Sequence, residues 1–194
     1  MSTNASISKR YQKKDLRTHI YDRTDTYAGS ATLQEQQRWV YDESKQRIVK
    51  KSIEIVPALY KIIDEIIVNT RDHHLNEETL KNIWINVDQD TGIISIQNDG
   101  NGFPIIQHDK HKIWIPTLCI GHLLTSTNYD PNVKRVTGGL NGYGAKVTNI
   151  LSKWLKLSTA HSKQKLKFTQ RWKDNMKSAG KPKVEKCTAK EAKM

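Results

Sequence analysis

A glutamate and an asparagine four residues apart, Glu65 and Asn69, sit in a segment whose apolar residues recur at helical spacing. Both therefore fall on one side of one helix, a turn apart. A carboxylate can take a proton from water, and an amide oxygen can ligate a divalent cation without adding charge. Together they can aim a base and a neutral oxygen ligand at one metal-bound phosphate, which is what phosphoryl transfer to water requires. Further along, TGGLNGYGAK at 137–146 packs four glycines, an asparagine and a lysine into ten positions. Glycine has the most backbone freedom to lose, so a dense run of it serves a turn, a moving loop or a close approach to a ligand. A phosphate loop, counted from Gly139, reaches Gly144 correctly but then meets Ala145, with Lys146 one place late and Val147 after it. The dinucleotide fingerprint, counted from Gly142 and Gly144, also needs a glycine where Val147 stands. Neither familiar motif is present.

The glycines must nevertheless be positioned by something. AKVTNILSKWL follows them with Val147, Ile150, Leu151 and Trp154 at helical spacing, so the loop ends at a helix N-terminus. Free backbone NH groups and the helix dipole favour an anion there. The Glu65 helix is read over residues 57–74, with Pro57 in its first turn and Leu59, Ile63, Ile66 and Ile67 on one face. Glu65, Asn69 and Asp72 form a polar stripe opposite, with Ile62 and Val68 as apolar shoulders. NIWINVDQ and GIISIQN alternate around Asp90-Thr91-Gly92 as a hairpin does, and lead into a second glycine turn, Asn98 to Pro104. That turn closes a strand on a polar side chain able to read a base edge. Trp39 to Tyr41 reads as a short strand, 111–124 as part strand and part helix, and 155–160 and 164–171 as two more strands. A plain glycine turn and an ordinary solvated helix face would explain the two motifs separately; their combination is what points to phosphate.

Three regions follow: an arm over 1–30 with little core of its own, a domain over 31–175, and a basic, lysine-rich tail without pattern over 176–194. The fold class is α+β, a two-layer sandwich of a mixed sheet with helices on one face. With 36% apolar and 27% charged residues over 194 positions, the composition is that of a soluble globular domain. No apolar run approaches the ~18 residues of a membrane span and no secretory signal opens the chain, so no membrane partner and an intracellular location are expected. Cys119 and Cys187 offer neither a disulfide framework nor a metal spacing. The net charge of +12 is concentrated from Lys146 onward, and a polyanion is its natural partner. A solvated lysine tail that aids only solubility fits the charge about equally well.

Taken together, IIDEIIVNTRDH, IQNDGNGFP and TGGLNGYGAKVTNI resemble the three nucleotide-binding blocks of the ATPase domain of type II DNA topoisomerases. That domain has the Bergerat fold shared with DNA gyrase, the ninety-kilodalton heat-shock chaperones, histidine kinases and mismatch-repair proteins, the GHKL ATPases. WVYDE with VPALYKIIDE, and HLLTSTNYD, resemble the eukaryotic type rather than gyrase. The resemblance implies ATP and Mg2+ as ligands, with Glu65 as the base that activates water and Asn69 as the metal ligand. It implies that Asn98 contacts adenine, that Gly102 lets the adenine pocket close, and that Ser126, Thr127 and Asn128 line ribose and phosphates. Gly139, Leu140, Asn141, Gly142, Tyr143, Gly144, Ala145 and Lys146 would wrap the triphosphate as a mobile lid, with the Lys146 ammonium on the phosphates. Tyr11 would reach the nucleotide of a partner subunit in a homodimer, and double-stranded DNA would be the macromolecular partner.

Four positions depart from the family pattern: Arg71, His73, Asn101 and Leu140. Leu140 and His73 are expected to alter nucleotide affinity. The stretch ends at Met194, before the second ATPase subdomain whose lysine reaches the γ-phosphate in the family, so weak binding and slow turnover are expected of these 194 residues. By the resemblance the location is nuclear in a eukaryotic cell, otherwise cytoplasmic or a viral factory. The rival functions are a basic nucleic-acid-binding module without nucleotide coupling, and a chaperone or repair ATPase of the same superfamily.

Overall fold

The computed structural model describes residues 10–11, 13–125, 142–188 and 191. Two short helices come first, α1 (Leu16–Asp22) and α2 (Thr24–Tyr27). Asp15 caps α1 by accepting a hydrogen bond from the Thr18 amide at 3.0 Å. The expected arm does not stand apart from Leu16 on: Ile20 is fully buried and joins Ala28, Ala58, Val147 and Ile150 in one apolar cluster. These helices borrow a core rather than form one.

A nine-residue hairpin follows, β1 (Gln34–Asp42) against β2 (Arg47–Ile55), antiparallel from Gln34↔Ile55 to Asp42↔Arg47. It is much longer than the strand read at Trp39 to Tyr41, because Gln34 to Arg38 carry no apolar alternation for a pattern to reveal. Val56 then leads into α3 (Pro57–Asn76), whose Pro57 occupies the first turn, where a missing NH costs nothing. Next, β3 (Ile83–Asp88) pairs β4 (Ile93–Asn98) around a turn in which Asp88 accepts from the Asp90 and Thr91 amides and Gly92 supplies φ +66°. The 111–124 region contains a single bridge, Gln107↔Trp114, and helix α4 (Ile115–Gly121). Helix α5 (Gly144–Leu151) follows the glycine stretch as its periodicity predicts.

The last layer is a sheet built on β5 (Trp154–His161) and β6 (Leu166–Lys173), with β7 (Ser178–Ala179) and β8 (Lys183–Lys186) pairing β6 on its other edge. So part of the expected patternless tail extends the sheet; a four-residue KVEK strand is too short for alternation to show. Phe168 and Trp172 point inward from β6 and are buried under α4, where Thr117 donates to Gln170 at 2.6 Å and Gly121 lies against the Trp172 indole. The α+β sandwich is present. Its described strand pairs are all antiparallel and form three ladders joined through loops rather than one continuous mixed sheet. No helix among the described residues is long and apolar enough to cross a membrane.

Candidate functional site

Helix α3 is the common wall of the site. It packs on α5 through Ala58 and Ile62, and the Thr148 hydroxyl on α5 reaches the Ile62 carbonyl at 3.0 Å. This is not the face expected from periodicity, since Leu59 is exposed and Ile63, Ile66 and Ile67 are only half-buried. Ile62, Ile63, Ile66, Ile67 and Val68 spread the apolar pattern around the helix and give it two shoulders, and α5 occupies the Ile62 shoulder beside the polar stripe. As a result Glu65 is turned toward the first residue of α5. A methyl group on Gly144 would overlap the Glu65 carboxylate.

Glu65 also receives Lys61 at 2.6 Å, one turn earlier on α3, and this ion pair is the main reason the Lys61 pKa is raised. Both side chains are partly in water and the order is Lys before Glu, the weaker direction for such a pair, so it contributes little and separates easily. Asn69 is exposed, one turn beyond Glu65, with its amide free of the packed face. Asp72, the third member of the stripe, is buried beside Arg71 at 3.5 Å instead of lining the opening.

The second glycine turn is tied on every side. Asn98 accepts from the Gly100 amide at 3.1 Å, so its amide group folds over its own turn at the end of β4. Asp99 accepts from the Lys81 and Asn82 amides at 2.8 and 2.9 Å and from the Asn82 side chain at 2.8 Å, and these bonds hold its carboxyl down to about 2. Asn101 accepts from the Ser162 amide at 2.8 Å and hydroxyl at 3.0 Å. His73 donates from Nε2 to the Asn101 carbonyl at 2.7 Å and so pins the turn to α3. Both residues, expected to depart from the family pattern, here serve as ties between elements. Gly102 donates to the Ala160 carbonyl at 2.9 Å, and a methyl on it would overlap that carbonyl and the Thr159 hydroxyl. Close approach to β5 is what demands glycine at this position.

The foot of the lid is described from Gly142. That residue takes φ +62°, and the Tyr143 carbonyl then accepts from the Lys146 and Val147 amides to start α5. Lys146 is almost wholly buried, its ammonium donating to the Thr125 and Gly142 carbonyls. Burial pushes its pKa down. An ammonium so placed staples the start of α5 to the end of the 115–125 segment; contact with a phosphate requires it to exchange those carbonyls for phosphate oxygens. Tyr143 and Ala145 are half-buried beside it.

Among the expected site residues, then, Glu65 and Gly144 meet where α3 packs on α5, Lys146 and Gly142 join the start of α5 to Thr125, and Asn98 and Gly102 lie on a turn bound to α3 through His73. Ser126, Thr127, Asn128, Gly139, Leu140 and Asn141 lie outside the described residues. Tyr11 is exposed. Thr159 and Ala160 were missed: they shape the turn from a strand sixty residues away, and nothing local to β5 signals it.

A family model for histidine kinase-, DNA gyrase B- and HSP90-like ATPases matches residues 54–175. DNA topoisomerase 2 of Candida glabrata is 46% identical over 184 residues, 95% of this chain but 13% of that protein. The solved ATPase region of Saccharomyces cerevisiae topoisomerase II superposes with TM-score 0.89 at 44% identity, covering 93% of this chain and 48% of that one. The ATPase and transducer domains of topoisomerase II from Balamuthia mandrillaris superpose with TM-score 0.91 at 42% identity, over 95% and 47%. The chain thus spans about half of the solved regions and 13% of the curated relative.

Proposed function

The chain belongs to the histidine kinase-, DNA gyrase B- and HSP90-like ATPase family, and from that premise we propose that it is the ATP-binding part of the gate of a type II DNA topoisomerase. The observation that carries the reading is the carboxylate of Glu65 set against Gly144, the first residue of helix α5, because a helix start favours an anion. The triphosphate would lie at that helix start, with Glu65 holding a water near the γ-phosphate and accepting its proton. Lys61, freed from the carboxylate as water enters, would move toward the phosphate charge. Asn98 would bond the adenine edge, and the ties through His73 and Asn101 would keep that edge at a fixed distance from Glu65. Mg2+ takes few protein oxygens beside phosphate and water, so Asn69 with its exposed amide suits it, and the ion would neutralise phosphate charge. Tyr11, beyond the docked helices, would reach a partner subunit's nucleotide and couple ATP to closure of a homodimer around double-stranded DNA. Intracellular placement, nuclear in a eukaryotic cell, belongs to the same reading.

Calorimetry with Mg-ATP and turnover assays test this. The 194-residue chain should bind at millimolar ligand or better. Asn98→Ala should weaken ADP and ATP alike, and Glu65→Gln should keep binding while lowering turnover ~10² to 10⁴-fold. Absence of adenine-nucleotide binding at millimolar ligand, or indifference to Asn98→Ala, would return the chain to the rival class of a basic module without nucleotide coupling.

A further inference from the structure

Several of the lysines past residue 150 lie on strands, and the sheet sorts those. Pairing of Lys156 with Arg171, Trp154 with Lys173, Lys167 with Glu185 and Thr169 with Lys183 puts all of these on one face. The other face carries Leu155, Leu157, Phe168 and Trp172 inward. The outer face therefore presents five exposed cations, Lys156, Lys167, Arg171, Lys173 and Lys183, against the single carboxylate of Glu185, which Lys183 holds at 2.7 Å. Lys156, Arg171 and Lys173 gather at one end of this face, the Ser158–Thr169–Lys183 row crosses its middle, and Lys167 stands at the other end opposite Glu185. Arg171 stacks on the Trp154 ring at 4.3 Å, which stiffens one end.

We propose that this outer face of β5, β6 and β8 is a docking surface for the phosphate backbone of duplex DNA. From the Lys156–Arg171 row to Lys167 is four residues along β6, or about 13 Å. That is close to the ~12 Å across a major groove, so the Lys156–Arg171 row and Lys167 can reach phosphates of opposite strands, with Lys183 on the β8 side of the row between them. Such contacts position a duplex without reading its sequence, as a passage device needs. The choice of duplex DNA over another polyanion rests on the topoisomerase reading; the surface itself does not.

The test uses the whole 194-residue chain, a 20-base-pair duplex and two charge-matched double variants. Lys156→Glu with Arg171→Glu should weaken duplex binding at least ~10-fold near 0.1 M salt, and should flatten the slope of log affinity against log salt by about 2. Lys45→Glu with Arg47→Glu, at the exposed β1–β2 turn, changes net charge equally and should shift affinity less than 2-fold. If both pairs weaken binding alike, affinity follows net charge and the surface is wrong. Equal or tighter binding of single-stranded DNA or anionic vesicles, sensitive to the same face, overturns the duplex as partner. Lys156→Gln with Arg171→Gln guards against a misfolded glutamate variant and should still weaken binding several-fold. Mg-ATP binding should be unchanged in every variant; its loss from the unmodified chain would sink the nucleotide reading and leave this surface standing.

Discussion

Gly102 and Gly144 belong to the two glycine turns that the sequence offers as base and phosphate contacts, and each sits where a methyl group would overlap a neighbour. The neighbours differ in kind. Gly102 meets the Ala160 carbonyl and the Thr159 hydroxyl, atoms of a paired strand that cannot give way without parting β5 from β6. Gly144 meets the end of Glu65, a flexible side chain that can rotate toward water. The fold requires glycine at 102, whereas the proposed role of Glu65 requires it at 144.

The largest effect should come from Gly102→Ala. Overpacking against backbone costs about 1–3 kcal/mol, and the variant also strains the Gly102 to Ala160 and Phe103 to Thr159 hydrogen bonds, so thermal unfolding should move down by several degrees or more. An unshifted melting temperature would mean that β5 does not hold the turn. Gly144→Ala should do the reverse: alanine is preferred in helices by about 1 kcal/mol, so stability should hold or rise. Turnover should fall ~10-fold or more, because Glu65 is driven off its position. A variant of unchanged turnover would separate Glu65 from the lid's foot and break the contrast.

Much of this contrast was legible in the sequence and part was not. Glu65 and Asn69 on one stripe, the second turn after an alternating hairpin, and a helix starting at the end of the glycines all follow from local spacing, and the structure has the helix at Pro57–Asn76 and the next at Gly144–Leu151. What spacing cannot give is which shoulder of an isoleucine-rich helix is covered; α5 chose Ala58 and Ile62 over Leu59. Nor can it show β1 and β2, whose polar residues alternate no signal, or the Thr159 contact, which depends on pairing over fifty-six residues.

Asn101 offers a middle case, since it ties the turn to the β5–β6 loop through a side chain. Asn101→Ala removes two bonds to Ser162 and leaves the Ser162 amide without its acceptor. A loss of about 1–3 kcal/mol is expected, with nucleotide affinity falling as the Asn98 edge loosens. Stability that falls with affinity intact would show that Asn98 is held by Gly100 alone.

The smallest effect is one of pH, and it sets the tied turn at Asp99 against the buried lysine at the start of α5. Asp99 is held down to about 2 by the Asn82 and Lys81 bonds, below the usual carboxylate near 3.8. A lowered folded-state value means the bonds stabilise the fold fully above the unfolded value. That contribution is lost as pH falls from about 4 through about 2. Lys146, by contrast, has its pKa lowered by burial, so its protonated form is disfavoured in the fold and no acid-dependent gain arises there. Asp99→Asn should therefore flatten the acid limb of the stability curve between about pH 4 and 2, with little change at neutral pH if the amide keeps one acceptor toward Lys81 and Asn82. The measurement is chemical denaturation at stepped pH for the two chains. If their acid limbs run parallel, Asp99 does not tie the turn, and the rigidity assigned to the Gly102 side of the site must reside in Asn101 and His73 instead.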